Sequence, residues 1–440
     1  MTVSKVTVIG GGLAGCEAAW RLAKAGLAVD LHEMKPKRFS PAHKTPHLAE
    51  LVCSNSLRSN DLTSAVGLLK EEMRRLGSLV MAAADETRVP AGRALAVDRE
   101  KFAALITARL GALDKVTLIR EEITDLDPGR LTILATGPLT SKAMSDSLSR
   151  LIGAESLYFY DAIAPIVTAE SINMDLAFEA SRYDESNEGD YINCPMTEAE
   201  YLAFYEALTS ADKVTPRDFE NPRFFEGCLP IEVMAERGTR TLTFGPMKPV
   251  GLTDPRTGRR PFAVLQLRKE NSAGTIYNIV GFQTRLKRPD QDRVFRLIPG
   301  LERAEFVRYG SVHRNTFIHG PAHLNEFLQL KKHPNIFPAG QITGVEGYVE
   351  SSAMGILAGE NAGRLAGGEA LISPPPTTAH GALVRHLTDT TVRNFQPMNV
   401  NYGLVPTAGK EVRKKDRPAF YARRALTDLE AWLEEVEYDD

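Results

Sequence analysis

A chain of 440 residues, of which 43% are apolar, is long enough for two or three domains and a sizeable core. Its formal net charge of -3 argues against a protein that coats nucleic acid over its whole surface, although a local basic patch stays compatible with it. The four cysteines form no C-x-x-C pair, and no apolar run reaches the roughly 18 residues of a membrane span. Because the first strand pattern begins almost at residue 1, we expect no secretory leader and a cytoplasmic location.

The first predicted unit is a strand, a glycine-rich turn and a helix. An apolar run at 6–9 precedes Gly10, Gly12 and Gly15, which have G-x-G-x-x-G spacing, and a helical pattern follows at 14–25. The first glycine permits a tight turn, the second lets the backbone approach a pyrophosphate, and the third lets the helix pack close to the strand. The amides at the start of such a helix face the phosphates.

A second strand pattern at 28–31 completes this unit, and Glu33 follows it at the place where an acid accepts the ribose hydroxyls. The whole context predicts a dinucleotide site rather than a glycine-rich turn in an ordinary βαβ unit. The backbone contacts are predicted to come from Gly10, Gly11, Gly12, Leu13, Ala14 and Gly15.

Four further elements are predicted before the middle of the chain: helices at 65–76 and 100–110, and strands at 116–119 and 131–135. Asp98 is placed to cap the second of these helices. The last strand runs into Ala135-Thr136-Gly137, where small residues leave room for a nucleotide. Gly137 is therefore added to the predicted cofactor contacts.

The middle of the chain has more aromatic and turn residues and short alternating runs, such as 264–267 and 275–280. We interpret it as an inserted α/β domain that supplies a substrate surface. The chain then returns to the nucleotide-binding domain and ends in a helical region with a basic and then an acidic tail. The predicted boundaries are 1–156, 157–308, 309–372 and 373–440.

A second glycine-rich unit follows the insertion. A strand pattern at 336–339 runs into Gly340 and Gln341, and a helix of small residues is predicted at 351–366. Plain tight packing is the alternative interpretation of this unit. FAD proteins often use both units, the first for the ADP half and the second for the ribityl chain and flavin ring, so we expect a Rossmann-like FAD-binding α/β fold of the glutathione reductase type with an inserted α/β domain. The lack of C-x-x-C argues against a disulfide reductase.

Two segments carry a resemblance to a known family. Glu50-Leu-Val-Cys-Ser-Asn-Ser-Leu-Arg-Ser-Asn60 and Gly340-Gln-Ile-Thr-Gly-Val-Glu-Gly-Tyr-Val-Glu-Ser351 resemble the folate- and flavin-dependent tRNA uracil-5-methyltransferases (TrmFO). The likeness covers essentially the whole chain, and its Cys-Ser-Asn-Ser-x-Arg pattern is the specific part. The glycine units are also found in the larger GidA/MnmG enzymes, which modify the wobble uridine of tRNA.

The resemblance implies an activity and its cofactors. The family moves a methylene group from 5,10-methylenetetrahydrofolate to C5 of the uridine at position 54 in the tRNA T-loop. It reduces that group to methyl with electrons from NAD(P)H, passed through FAD. FAD, NAD(P)H and the folate are thus the expected cofactors and co-substrates, with tRNA as the partner.

The chemistry needs a thiolate that adds to uracil C6, and two cysteines are candidates. Cys53 lies in a polar segment with Arg58 nearby in sequence, and a close guanidinium would favour its thiolate. Cys228 has Glu226 and Glu232 nearby, and carboxylates act the other way. The resemblance implies that Cys228 is the nucleophile and that Cys53 serves proton removal or stabilises the methylene adduct. From the residues alone, each could equally be a small buried apolar side chain.

We interpret the remaining cysteines as structural, because Cys16 lies on the first helix facing the sheet and Cys194 precedes Pro195. Since the folate must stack on the flavin, we expect His313 to supply a planar partner and Arg314 to bind a carbonyl or carboxylate. A surface or capping role is the alternative for His313. Other residues predicted near the ring, the folate or the flavin phosphate are Glu346, Tyr348, Arg93 and Arg99.

A tRNA partner needs cations for its phosphates. A basic cluster near the C-terminus is the predicted site, with Phe420 and Tyr421 available for stacking. Its members are Lys410, Arg413, Lys414, Lys415, Arg417, Arg423 and Arg424.

Three other functions stay open at this point. They are an NAD(P)H-dependent flavin oxidoreductase for small molecules, a wobble-uridine enzyme of the GidA/MnmG type, and a flavin-bearing RNA-binding module without turnover. In each case we expect no metal site, no membrane contact and no stable protein partner.

Overall fold

A computed structural model describes residues 5–153, 157–182, 189–214, 229–392, 395–409 and 412–436, with the backbone alone described at 157–161 and 312–314. The strands are β1 Lys5–Ile9, β2 Ala28–His32, β3 Ser56–Ser59, β4 Arg88–Val89, β5 Ala94–Val97, β6 Val116–Ile119, β7 Thr132–Leu134, β8 Leu157–Ile163, β9 Ile166–Thr168, β10 Phe178–Glu179, β11 Tyr191–Met196, β12 Ala263–Lys269, β13 Ile276–Ile279, β14 Phe306–Arg308, β15 Ser311–Phe317 and β16 Ile336–Pro338. The helices are α1 Leu13–Lys24, α2 Ala65–Arg75, α3 Leu79–Glu86, α4 Arg99–Gly111, α5 Lys142–Ile152, α6 Glu198–Ser210, α7 Ile231–Glu236, α8 Thr241–Phe244, α9 Arg288–Phe295, α10 Gly320–His323, α11 Tyr348–Gly367, α12 Ala379–Thr388 and α13 Arg417–Glu435.

A five-stranded parallel sheet forms the nucleotide-binding part, in the order β16-β7-β1-β2-β6. Its central strand is apolar and buried, as expected for a parallel sheet that is covered on both faces. This order is that of a Rossmann-like fold, so the predicted fold class is confirmed.

Helix α11 packs directly on α1, which brings the two glycine units together. A Cβ at Gly355 would overlap the backbone of Ala14, and one at Gly359 would lie 2.9 Å from the Cα of Ala18. The helix begins at Tyr348, three residues before the predicted start, because Gly347 at φ +106° turns the chain into its first turn.

A three-stranded antiparallel sheet, β3-β5-β4, packs against α2 and α3, and α4 packs on α3. The segment that contains Cys53 leads into β3. The expected cap is present, because the Asp98 side chain accepts a hydrogen bond from Lys101 N at 3.2 Å at the start of α4.

The predicted insertion contains a second sheet, in the order β10-β11-β12-β13-β9-β14, whose strand pairs are antiparallel. Helices α6 and α9 and a core of its own accompany it, and the aromatic members of that core include Tyr201, Phe204, Phe282 and Phe295. The predicted strands at 264–267 and 275–280 correspond to β12 and β13. The ribbon of β8 and β15 joins this region to the nucleotide-binding part in the chain.

Candidate functional site

A cavity of about 1110 Å³, including its open mouth, lies at the carboxyl ends of β1, β2 and β7, where α/β sheets bind ligands. Most of the predicted cofactor contacts line it, and so does one residue predicted for the substrate. Those residues are Gly10, Gly12, Leu13, Ala14, Glu33, Gly137, Gly340, Gln341 and Tyr348.

The three glycines of the first unit have three different surroundings. Gly10 has φ +105°, and a Cβ there would overlap the carbonyl of Ala135. A Cβ at Gly12 would meet no atom within 4 Å, so this glycine faces open space in the cavity wall. A Cβ at Gly15 would overlap Gly10 O. Gly15 therefore has the helix-packing role predicted for it, and it is not among the residues that line the cavity.

Gly11 is not among the residues that line the cavity, but it contacts one that does. Its amide donates to Glu33 Oε2 at 3.0 Å, and its Cβ position faces Leu48 and Glu33. The other carboxylate oxygen of Glu33 accepts from Lys35 N at 2.9 Å. These two bonds hold Glu33 on the cavity wall, and each oxygen retains a lone pair for a ribose hydroxyl.

The second glycine unit forms the part of the cavity wall next to the first unit. Gly340 has φ +76°, and a Cβ there would lie 2.8 Å from the Cβ of Ala14. Open space at Gly12, the start of α1, an acid after β2 and a second glycine turn together fit a dinucleotide such as FAD.

The Cys53 segment lies against this cavity. Tyr348 lines the cavity, and its hydroxyl oxygen accepts hydrogen bonds from Cys53 N at 2.6 Å and Ser54 N at 3.2 Å. Burial, followed by the charge of Cys53, raises the pKa of Tyr348 against the opposing effect of Arg99. The phenol therefore stays protonated, and its own O–H remains a donor.

The guanidinium groups near the Cys53 thiol differ from the one predicted. Arg99 and Arg308 interact with Cys53 electrostatically, although they are distant in sequence. Arg58, the predicted neighbour, instead pairs with the buried carboxylate of Glu350. The correction has a simple cause, because Arg58 adopts φ +63° at an irregularity of β3 and so leaves the direction of an ordinary strand.

The two cysteines interpreted as structural are both buried. Cys16 donates to Gly11 O at 3.4 Å, and burial raises its pKa. Cys194 lies within β11, and burial raises its pKa to about 12. Thiols in such surroundings are unreactive.

Several predicted residues lie partly or wholly outside the described residues. These are Cys228, Lys410 and the side chains of His313 and Arg314. Of the other substrate candidates, Glu346 is buried and accepts a hydrogen bond from Gln341, which lines the cavity. Arg93 is exposed and interacts with Asp61.

The basic cluster is only partly available to a partner. Its members Arg413, Lys414 and Lys415 are exposed, whereas Arg417 donates to Val412 O at 3.3 Å. The stacking prediction is wrong for Tyr421, which is buried and whose hydroxyl accepts from Ala408 N at 3.0 Å.

The rings of Phe420 and Tyr421 are also covered. Arg424 lies 5.4 Å from the centroid of each. Arg424 follows these two residues by four and three positions on α13, so helical spacing brings its guanidinium next to both rings.

Three further cavity residues, Val52, Thr136 and Ser351, lie in segments that the sequence singled out but were not themselves predicted as contacts. Ser351 begins the predicted small-residue helix, and that was the available signal. In the part of the chain that the structure describes, no helix is long and apolar enough to cross a bilayer.

Comparison with known proteins gives consistent results. A family model described as Glucose inhibited division protein A matches residues 5–370. The methylenetetrahydrofolate--tRNA-(uracil-5-)-methyltransferase TrmFO of Geobacter sulfurreducens is 60% identical over 431 residues, which cover 98% of this chain and 99% of that protein. Its namesake from Syntrophus aciditrophicus is 57% identical, with 98% of both chains covered.

A solved structure of Aquifex aeolicus GidA is similar with a TM-score of 0.71 at 17% identity, covering 99% of this chain and 74% of that one. A likeness at that identity speaks for the fold alone. The full-length identities go further: this chain belongs to the TrmFO family, within the GidA group.

Proposed function

We propose that this chain methylates C5 of a uridine in the tRNA T-loop, with 5,10-methylenetetrahydrofolate as carbon donor, FAD as cofactor and NAD(P)H as reductant. Family membership supports the reaction and its folate donor. The observation that carries the proposal is the contact between Tyr348, on the wall of the dinucleotide cavity, and Cys53 N at 2.6 Å. Hydride transfer to a small molecule needs no thiol there, whereas activation of uracil does.

The cofactor side of the proposal rests on the two glycine units. The open space at Gly12 and the amides at the start of α1 would receive the pyrophosphate, and Glu33 would accept the ribose hydroxyls. Bound FAD, reduced by NAD(P)H, would supply the hydride that takes the one-carbon unit from the formaldehyde to the methyl level.

The chain's own thiols would activate uracil. A thiolate forms a bond to C6, which makes C5 an enolate carbon able to attack the one-carbon unit. A base then removes the C5 proton, and the bond between the one-carbon unit and its carrier nitrogen breaks with its electron pair going to nitrogen. Once hydride has been added to that carbon, the bond between sulfur and C6 breaks. We assign the addition to Cys228 and the proton removal to Cys53, on the basis of the family resemblance.

The surroundings of Cys53 favour a negative charge at or near its thiol. Arg99 and Arg308 place positive charge near the thiol. Burial and the charge of Arg99 lower the pKa of Arg308, so an anion between these cations is favoured. Tyr348 holds the Cys53 amide and leaves its own proton directed elsewhere.

The test supplies unmodified tRNA, NADPH and carbon-labelled methylenetetrahydrofolate to the purified protein. We expect label in 5-methyluridine of the T-loop, loss of labelling in Cys53→Ala, and near-normal labelling in the control Cys194→Ala. Label from S-adenosylmethionine would overturn the folate donor, and label in the wobble uridine would favour the GidA/MnmG activity.

Two further outcomes would identify the remaining alternatives. NADPH oxidation without labelled RNA would indicate a small-molecule oxidoreductase, and tRNA binding without turnover an RNA-binding flavoprotein. A cytosolic site of action, where folate and tRNA occur together, belongs to the same proposal.

A further inference from the structure

The end of strand β12 contacts the segment around Cys53. The contact crosses from the insertion sheet to the nucleotide-binding part. Arg268 Nη2 donates to Ser54 Oγ at 2.8 Å, and its Nε donates to Asn55 Oδ1 at 3.1 Å. The two residues that directly follow the thiol are therefore bound by one guanidinium.

Asn55 is fully committed to this contact. It is 0% exposed, and its Nδ2 donates to Val97 O at 2.9 Å and to Lys269 O at 2.8 Å. With Arg268 on its oxygen, the amide has a partner for each of its protons and for its acceptor. Because every polar atom of the Asn55 amide has a partner, these bonds fix the position of the Cys53 segment between β5 and β12.

A second arginine binds the same segment on the other side of the thiol. Arg99 Nη1 donates to Leu51 O at 2.6 Å, and its Nε and Nη2 donate to Glu270 Oε2 at 3.1 and 2.9 Å. Glu270 lies two residues after Arg268 in sequence and is itself buried. Residues 51–55 are thus bound on both sides of Cys53 through the end of β12.

Arg268 is a buried charge, so its stability depends on the groups that surround it. The residue is 6% exposed, and a buried guanidinium is costly unless it is hydrogen-bonded and near opposite charge. Glu270 acts on it electrostatically, and its hydrogen bonds go to Tyr191 within the insertion and to Ser54 and Asn55 across the contact. The two bonds across the contact are lost if Ser54 or Asn55 moves, so the guanidinium restrains both side chains.

We propose that Arg268 is a positioning residue for the Cys53 thiol, so that the insertion sheet holds the reactive segment in place. The inference rests on the proposed function of Cys53. It predicts that uracil chemistry depends on a residue of the insertion that is not part of the cavity wall and acts through Ser54 and Asn55.

Simple docking of the insertion is the competing role, and other contacts make the two separable. Asp98 Oδ2 accepts from Ser272 N at 3.0 Å, and the Gly92 amide donates to the carboxylate of Asp190. These contacts remain when Arg268 is replaced, so the insertion stays docked while the Cys53 segment loses its restraint.

The test compares Arg268→Met with Arg268→Lys, Ser54→Ala and the control Arg256→Met. Arg256 makes a two-bonded pair with Asp254, which keeps the control within the insertion. The readouts are flavin content, thermal unfolding, kcat and KM for tRNA, and the pH profile of Cys53 alkylation from peptide-resolved mass spectrometry.

For Arg268→Met we expect a loss in kcat of about 10²-fold with little change in KM, because a small displacement of a reacting group has that effect. The alkylation profile of Cys53 should shift as well. Lysine can donate to only one of the two acceptors, so Arg268→Lys should recover part of the lost kcat. Ser54→Ala should lower kcat about tenfold. The control should match the wild type.

Wild-type kcat and alkylation in Arg268→Met, with Cys53→Ala inactive, would overturn the inference. Full turnover by Cys53→Ala would instead overturn the proposed function, while a shifted alkylation profile would still report positioning. If Arg268→Met loses flavin or unfolds, Ser54→Ala decides the matter by the same two readouts.

Discussion

Replacing Tyr348 by Phe removes the oxygen that accepts hydrogen bonds from two backbone amides. Cys53 N and Ser54 N lie 2.6 and 3.2 Å from it, at the wall of the cavity. A typical intramolecular hydrogen bond contributes about 0.5–1.5 kcal/mol net, so the pair amounts to about 1–3 kcal/mol of local stability. Because 1.4 kcal/mol corresponds to a tenfold change, local opening should become about 5- to 100-fold more frequent.

Hydrogen exchange of these two amides measures the effect directly. We expect Tyr348→Phe to accelerate exchange at Cys53 and Ser54 by that factor, with other amides nearly unchanged, and to lower the rate of methyl transfer. Tyr205→Phe is the matched control, because that hydroxyl donates to Ala235 O at 3.1 Å within the insertion. Wild-type exchange at both amides in Tyr348→Phe would refute the role given to this hydroxyl.

Two more changes test the fold around the site. Gly15→Ala should destabilise the protein by about 1–3 kcal/mol or more and reduce bound flavin, because the new methyl group overlaps Gly10 O, whereas Gly12→Ala meets no atom within 4 Å and should keep its melting temperature. Equal melting temperatures for the two variants would contradict the packing argument. Burial alone would raise the pKa of Asp98. The hydrogen bonds that its carboxylate accepts, led by that from Ser272 N, outweigh the effect of burial and hold the pKa below the usual value. A depressed pKa stabilises the folded state above the unfolded pKa, about 3.9, and the effect is lost as pH falls through the folded value, so Asp98→Asn should be less stable at neutral pH and lose less stability below about pH 4. Urea unfolding across this range measures it, and parallel curves would contradict the assignment.

The nucleotide-binding unit could be predicted from sequence because its determinants are local. A tight turn at Gly10, close helix packing at Gly15 and a cap at Asp98 each depend on a few neighbouring residues, and the structure has all three. Strand periodicity also located β12 and β13 of the insertion.

The side-chain partners of the candidate site were less predictable. Nearness in sequence suggested Arg58 for Cys53, yet Arg58 pairs with Glu350. Tyr421 seemed free to stack, yet it is buried. Both predictions assumed that residues close in sequence determine the surroundings of a side chain, whereas contacts with distant segments determined them.

By itself, the sequence determined the Rossmann-like frame, the position of the dinucleotide turns and the family resemblance, because these depend on backbone geometry and short-range patterns. Only the tertiary structure decided which charges meet the thiol and which residues hold it. Arg99, Arg268 and Arg308 reach the Cys53 segment from α4, β12 and β14, and no pattern within one segment reports such contacts. They arise when the insertion sheet packs against the nucleotide-binding part, where a buried charge must find partners wherever folding brings them.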